Sequence, residues 1–431
     1  MANTRARPAD AAGPRRANLA LLLRTLQHHG PASRARLAVL AGLSKATVSQ
    51  LVADLVARRL VRLGGAAAGG AGRPGQLVEL RPAAVCGIGL DIAADHLGAV
   101  ALDLTGAVVA RRWLARDVPA LAPDRALDEL AAVAEATAAE VAGAGGWVAG
   151  LTVATPGLVD VDSGVVRLAA TLRWREVAVA DALAARTGVG LDRIAVDNDA
   201  NLGALAEHAR AGQSPDHRPA APDRPETSTV DDLLYLSGGV GVGGGLVANG
   251  ELVRGAFGFA GEVGHMSLDP MGPYCSCGRR GCWETQVGVR ALVHAAAMPD
   301  DPIRDPLLGV EQRLEVIRSR VRAGDRRTVA ALQQIGSALG AGVAILVNAL
   351  NPAQVVLGGY FAALHDWLVE PVRIEMASRV LAPEAASTPV VAARFGFDAA
   401  RRGGAYAALR RVVDDPTLAP VSAEQATEAP A

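Results

Sequence analysis

The spacing of apolar positions changes character along the chain. Between Leu19 and Val56 it is helical: Leu19, Leu22, Leu23 and Leu26 share one face, Leu37 and Leu40 a second, and Val48, Leu51, Val52, Leu55 and Val56 a third. Ser33 and Ser44 stand at N-cap positions, because a short hydroxyl there satisfies an otherwise unpaired amide, and Gly42 supplies the turn between them. This is helix-turn-helix spacing, with Lys45, Thr47, Ser49, Gln50 and Asp54 on the polar side of the third helix. Two short apolar runs, 60–63 and 77–80, flank a Gly-rich tip ending in Gly72-Arg73-Pro74-Gly75, which predicts a winged hairpin.

After Pro82 the pattern becomes that of strands. Runs at 85–92, 97–104 and 108–114 precede an Ala-rich helix over 126–141, and a second strand group runs through 233–236 and 246–253 about a turn at 237–245. Two similar strand-turn-strand units predict an internally duplicated α/β fold with a cleft between its lobes. The expected organisation is a disordered basic tail (1–17), a winged helix-turn-helix domain (18–81), a two-lobed body (82–412) with a flexible insertion at about 213–231, and a disordered tail (413–431).

Charge sharpens this division. The 431 residues carry 43 Lys plus Arg and 44 Asp plus Glu, a net −1. Residues 1–81 hold thirteen basic and three acidic side chains, leaving the remainder at −11. Such asymmetry points to a nucleic-acid or membrane-surface module on an acidic globular body. The longest uncharged apolar stretch, 338–347, is short and Gly-rich for a membrane span, and Arg24 interrupts the apolar run after Arg15-Arg16, so a cytoplasmic protein is expected.

Three of four cysteines cluster. His265, Cys275, Cys277 and Cys282 give H-x9-C-x-C-x4-C, a closed set of three thiolates and an imidazole suited to structural Zn2+. Cys86 lies in an apolar run and is expected to be a buried structural thiol.

Five motifs follow one another along the body: Thr155-Pro156-Gly157, Asp197-Asn198-Asp199-Ala200-Asn201, Gly261-Glu262-Val263-Gly264-His265, the cysteine string through Trp283-Glu284, and Val355-Val356-Leu357-Gly358-Gly359. In this order they resemble the ROK family of sugar kinases and sugar-responsive repressors. The winged segment with Gly72-Arg73-Pro74 is similar to that of the family's repressor branch. The resemblance implies an actin-like (RNase H-like, duplicated) sugar-binding body with a zinc-stapled loop. Glu262, His265 and Glu284 match the family's sugar contacts and Asp199 its catalytic base. Where the family commonly has Asn three residues before Trp, this chain has Thr171, which changes the hydrogen-bond inventory and with it the favoured sugar.

Kinases of the family use D-x-G-G-T and G-T-G turns to hold nucleotide phosphates. Here the first reads Asp91-Ile92-Ala93-Ala94-Asp95, placing methyl groups and a carboxylate where phosphates approach, and the second reads Gly239-Val240-Gly241. A charge at about 4 Å in an effective dielectric near 20 costs a phosphate on the order of 4 kcal/mol. ATP-dependent sugar phosphorylation is therefore expected to be absent or vestigial, with Asp199 a vestigial base holding a sugar hydroxyl.

The expected function is a sugar-responsive transcriptional regulator, most simply a repressor of carbohydrate-metabolism genes. Its partners are duplex operator DNA, a sugar or sugar phosphate, and a second copy of itself as a homodimer or dimer of dimers. DNA contacts are expected from Lys45, Thr47, Ser49 and Gln50 in the major groove and Arg73 in a minor groove. A sugar kinase with a fused DNA-binding domain, and a metal sensor, are the competing readings.

Overall fold

The computed structural model describes residues 12–66, 76–211, 230–305 and 308–421. The N-terminal unit comprises α1 (Ala12–His29), β1 (Ala32–Ser33), α2 (Arg34–Ala41), α3 (Lys45–Ala57), β2 (Val61–Ala66) and β3 (Gln76–Leu80). Its strands pair antiparallel in the order β1-β3-β2. The Ser33 hydroxyl accepts from Arg36 N at 3.2 Å and that of Ser44 from Thr47 N at 3.1 Å, so each starts a helix by occupying an amide with no intrahelical partner. Leu19, Leu22, Leu23, Leu37, Val48, Val52 and Leu55 are all fully buried, as their spacing requires.

The first lobe of the body contains β4 (Val85–Ile92), β5 (His96–Asp103), β6 (Val108–Ala115), α4 (Pro123–Gly143) and β7 (Trp147–Thr155). A small sheet of β8 (Leu158–Asp160), β9 (Val165–Ala169) and β10 (Trp174–Ala178) follows, then α5 (Val179–Thr187), β11 (Ile194–Asn198) and α6 (Asp199–Ala211). The second lobe opens with β12 (Leu233–Gly238), β13 (Val242–Ala248) and β14 (Glu251–Leu252). It continues through α7 (Glu284–Val287), α8 (Val289–Ala296), α9 (Val310–Arg322), α10 (Arg326–Leu350), β15 (Gln354–Gly359), α11 (Tyr360–Ala363), α12 (His365–Arg379), α13 (Pro383–Ala386), β16 (Val390–Ala392) and α14 (Ala399–Asp414).

The sheet orders are β11-β7-β4-β5-β6 and β14-β13-β12-β15-β16. In each, three strands run antiparallel and the first is extended on its other side by two parallel crossovers. The two sheets thus correspond strand for strand, as a duplicated α/β fold requires, but β13 begins at Val242 inside the turn expected over 237–245, and the run expected over 246–253 divides between β13 and β14. Helix α14 returns to the first lobe and lies so close to β4 that a Cβ on Gly89 would fall 1.7 Å from the Arg401 carbonyl oxygen. Only glycine permits that approach.

Helix α10 spans 25 residues and is long and apolar enough by composition to cross a membrane, unlike the shorter run considered above, but much of it is core. Leu332, Ile335, Leu339, Val343 and Val347 are buried on one face, joined by the Trp283 indole, whose Nε1 donates to Ala338 O at 2.9 Å.

Both expected tail boundaries move. Residues 12–17 are already helical: Arg15 reaches Asp54 of α3 at 2.9 Å and Arg16 reaches Asp415 at 3.6 Å. After α14 the chain makes a short 3-10 turn, and described structure continues to Val421. Arg58 Nη1 donates to Thr417 O (2.9 Å) and Ala419 O (2.7 Å), and Ala419 is buried. Low-complexity composition concealed these segments because their partners lie in remote sequence. The wing tip 67–75, including Arg73, and nearly all of the expected insertion lie outside the described residues.

Candidate functional site

The cleft floor is built where β11 passes into α6. Asn198 Oδ1 accepts from Ala200 N (2.8 Å) and Asn201 N (3.3 Å), while its Nδ2 donates to Gly157 O at 3.1 Å, tying the helix start to the Thr155-Pro156-Gly157 segment. Asp197 is buried, accepts from Asn201 Nδ2 at 3.2 Å, and pairs with Arg254 at 2.7 Å. These bonds fix Asp199 at the first position of α6, where its Oδ1 accepts from Ala200 N at 2.8 Å. Burial, with Asp91 and Glu262 nearby, pushes its carboxyl up to about 7. Three carboxylates from β4, α6 and the second lobe therefore converge.

The facing wall carries Glu262, His265 and Glu284. His265 Nε2 is 3.8 Å from Glu262 Oε2, and its Nδ1 is 3.8 Å from Glu284 Oε1 and 3.7 Å from Cys275 Sγ. Burial and then Glu284 raise the Glu262 carboxyl, opposed by His265. The Sγ atoms of Cys277 and Cys282 are 3.6 Å apart, and one ligand atom from each of His265, Cys275, Cys277 and Cys282 lies within 4.8 Å of the others. Such a donor set can hold a metal ion. Its loop is closed by isolated bridges between Ser267 and Cys282 and between Tyr274 and Arg280, and Trp283 anchors it to α10. Glu284 Oε1 also contacts Cys275 Sγ at 2.7 Å, so the cysteine cluster and the cleft wall share a side chain.

The two Gly-type turns differ in state. In the first, His96 Nε2 is 3.0 Å from Asp91 Oδ2 and Nδ1 is 2.7 Å from Asp95 Oδ1, with the imidazole stacked on Trp113 at 3.6 Å. Burial alone would depress the imidazole, but the bonds to Asp91 and Asp95 outweigh it and raise the group to about 9. Asp95 is therefore not the bare charge that the sequence suggests; its repulsion of an anion is offset by His96, and the turn is occupied by its own side chains. In the second, a Cβ on Gly241 would lie 2.6 Å from Glu284 Oε2, so this turn backs the cleft carboxylate.

A family model described as ROK family matches residues 87–411, three quarters of the sequence. The chain belongs to the ROK family. A second model, described as MarR family, matches residues 20–73 of the winged unit. The xylose repressor of Bacillus subtilis (strain 168) is 29% identical over 373 residues, covering 86% of this chain and 89% of its own length. A solved ROK family transcriptional regulator, a homologue of the E. coli MLC protein, superposes with a TM-score of 0.70 at 24% identity over 94% of this chain and 98% of its own, a likeness of fold. A ROK family glucokinase from Streptomyces griseus, solved with glucose and AMPPNP, superposes with a TM-score of 0.61 at 26% identity over 75% of this chain and 99% of its own.

Within this ROK chain, Asp199, Glu262, His265 and Glu284 are drawn together, and His265 is shared with the cysteine cluster. Thr171 lies on the β9–β10 connection; its Oγ1 and the nearby Trp174 Nε1 are buried without a hydrogen-bond partner among the described residues. On α3, Lys45, Ser49 and Gln50 are exposed and Thr47 half-buried. Two hydroxyls there already have local roles: Thr47 Oγ1 is 2.8 Å from Ser44 Oγ, and Ser49 donates to Lys45 O at 2.9 Å. Sequence reasoning missed Arg254, whose Nη1 is buried and unpartnered, and the locking of Asp91 and Asp95 by His96. An arginine eight residues before Glu262 carries no local signal, whereas His96 directly after Asp95 could have given one.

Proposed function

We propose that this ROK protein is a sugar-responsive, DNA-binding transcriptional repressor of carbohydrate-metabolism genes, acting in the cytoplasm as a homodimer or dimer of dimers. The observation that carries this reading is the union of head and body. Leu19, Leu22, Val48 and Leu55 of the winged unit belong to one buried apolar cluster with Val100 and Leu102 of β5 and Leu409, Val412 and Val413 of α14. A head seated in this way cannot shift without disturbing the helix against which α6 packs, and α6 begins at Asp199. The similarity to a xylose repressor along most of both chains points the same way.

Asp199, Glu262 and Glu284 supply carboxylate acceptors for sugar hydroxyls, with His265 Nε2 beside Glu262, and Thr171, whose hydroxyl is buried without a partner among the described residues, is the fifth proposed sugar contact. His265 Nδ1 and the sulfurs of Cys275, Cys277 and Cys282 suit structural zinc. Two zinc–sulfur bonds of about 2.3 Å place tetrahedral sulfurs about 3.7 Å apart, close to the 3.6 Å between Cys277 and Cys282, and all four ligand atoms lie within 4.8 Å of one another. Bound zinc would staple the loop and so hold one wall of the cleft. Lys45, Thr47, Ser49 and Gln50 of α3 are the proposed operator contacts, together with Arg73, which lies outside the described residues.

Sugar acts by binding more tightly to one arrangement of the two heads in the dimer than to the other. Phosphoryl transfer is not part of this function, since Asp91 and Asp95 are engaged by His96. Titrating operator duplex against purified protein, with and without a panel of aldoses and their phosphates, tests the reading: one sugar should change operator affinity at least about tenfold, a coupling near 1.4 kcal/mol. Sustained ADP release from sugar and Mg-ATP would favour the kinase instead.

A further inference from the structure

A cavity of about 370 Å³ lies at the seam between head and body, away from the cysteine-walled cleft. Its walls come from α1, the β5–β6 turn, the C-terminal half of α6, and α14. The lining is mixed: Leu102, Leu104, Leu409, Phe395 and Tyr406 supply an apolar and aromatic part, and Thr25, Gln27 and Thr105 a polar one. Two guanidinium groups, Arg24 of α1 and Arg402 of α14, carry positive charge at the pocket, and the exposed His28 and His29 of α1 add imidazole N–H donors. Asp103 is the sole carboxylate among the lining residues, and both its oxygens are engaged. Oδ1 accepts from Thr105 N, Thr105 Oγ1 and Ala107 N, and Oδ2 from Ala83 N. Arg24 is held by Asp414 at the outer edge, and Arg402 lies 3.9 Å from Asp398, which Arg111 and Arg401 share, and stacks over Phe395 with its guanidinium carbon 4.9 Å from the ring centre.

An open, part-apolar pocket of this size edged by two guanidinium groups and two imidazoles selects by two terms. Burial favours a compact aromatic or alkyl body, and the rim favours one negative charge. We propose that the seam is a second ligand site, taking a small amphipathic organic anion, a carboxylate or phosphate monoester on an apolar body. Because one wall is α1 of the head and the others belong to the body, where Gln27 Nε2 also reaches Leu104 O at 3.2 Å, a bound anion clamps the head onto the body.

Calorimetry on the full chain with phenyl phosphate, benzoate and neutral benzyl alcohol tests this, alongside hydrogen exchange of α1. Both anions should bind and slow exchange in α1, with benzyl alcohol at least about tenfold weaker. Glu262→Gln, which alters only the other cleft, should leave anion affinity unchanged. Ala209→Trp, which fills the chamber, should abolish binding, and the exposed double variant His28→Ala/His29→Ala should weaken it several-fold even if the filled variant folds poorly. The proposal fails if neither anion binds by about 10 mM, if benzyl alcohol binds equally well, or if Glu262→Gln rather than the seam variants removes binding. Preference between the two anions reports whether the natural ligand is a carboxylate or a phosphate. The outcome is independent of any sugar response of the cleft.

Discussion

His96 Nε2 lies 3.0 Å from Asp91 Oδ2, so the turn closing β4 onto β5 is held by an imidazole between two carboxylates. In a phosphate-binding turn this space would face a nucleotide. Here it is filled from within, and the stack on Trp113, itself under Arg401 at 4.8 Å, fixes the ring.

The His96 clamp should depend on pH with a definite sign. The group rises from 6.5 to about 9 in the fold. Its stabilising contribution is therefore complete below about 6.5 and disappears as pH climbs through about 9. The size is about 3 kcal/mol at most. His96→Gln should lower the denaturation midpoint clearly at pH 6 and little at pH 10; a deficit constant across that range would refute the clamp.

Asp199 behaves in the opposite sense. Its carboxyl stands near 7, well above an ordinary aspartate, because burial and the neighbouring Asp91 and Glu262 penalise the ionised form. The penalty is absent below about 4 and complete above about 7, reaching up to about 4 kcal/mol and less where cleft water relaxes around it. Asp199→Asn should raise the unfolding temperature at pH 8 but not at pH 4, while weakening sugar binding by about tenfold or more. A variant that is less stable at pH 8 would contradict this placement.

Much of this was legible in the sequence, for reasons residue spacing explains. Leu19 to Val56 kept helical period because one face is buried, and Ser33 and Ser44 marked helix starts by a local bond. The cysteine cluster was legible because its sulfur ligands lie within eight residues. What escaped was nonlocal: Arg58 bonds to carbonyls some 360 positions away, and Arg254 meets Asp197 across two elements. Such pairings leave no periodic trace. The error about Asp95 was of another kind, since its charge was counted without the adjacent His96.

Removing the metal-ligand set should damage sugar binding through Glu284, which touches Cys275 on one side and backs onto Gly241 on the other. Cys277→Ser, or prolonged chelation, should remove zinc measured by mass spectrometry and lower sugar affinity by about tenfold to a hundredfold. Operator affinity without sugar should change little. Unaltered sugar affinity in a protein shown to be metal-free would separate the loop from the cleft.

Lys45 is the only lysine in the chain and stands exposed at the first position of α3. Lys45→Ala should weaken binding to all duplexes and reduce the salt slope by about one. Gln50→Ala should instead relax preference at one base pair, at a cost of about 1–3 kcal/mol for the matched sequence. Binding selections across salt concentrations would distinguish the two, and a slope unchanged in Lys45→Ala would remove this helix from the phosphate contacts.

Arg58 offers a way to uncouple head from body without touching either binding face. It bonds to Asp54 within α3 at 2.9 Å and to the Thr417 and Ala419 carbonyls beyond α14. Bonds to a charged donor contribute about 1.5–3 kcal/mol each. Arg58→Ala frees one edge of the head while leaving Asp199, Glu262 and Glu284 in place. Sugar affinity should be retained and sugar-free operator affinity should fall only modestly, whereas the factor by which sugar changes operator affinity should shrink several-fold. Because coupling is reciprocal, operator should also lose its effect on sugar affinity by the same factor. Calorimetry of sugar binding with and without operator measures that directly. A full sugar response in Arg58→Ala would move the transmission path away from the C-terminal strap, leaving the buried contacts of α1 with α14 to carry it.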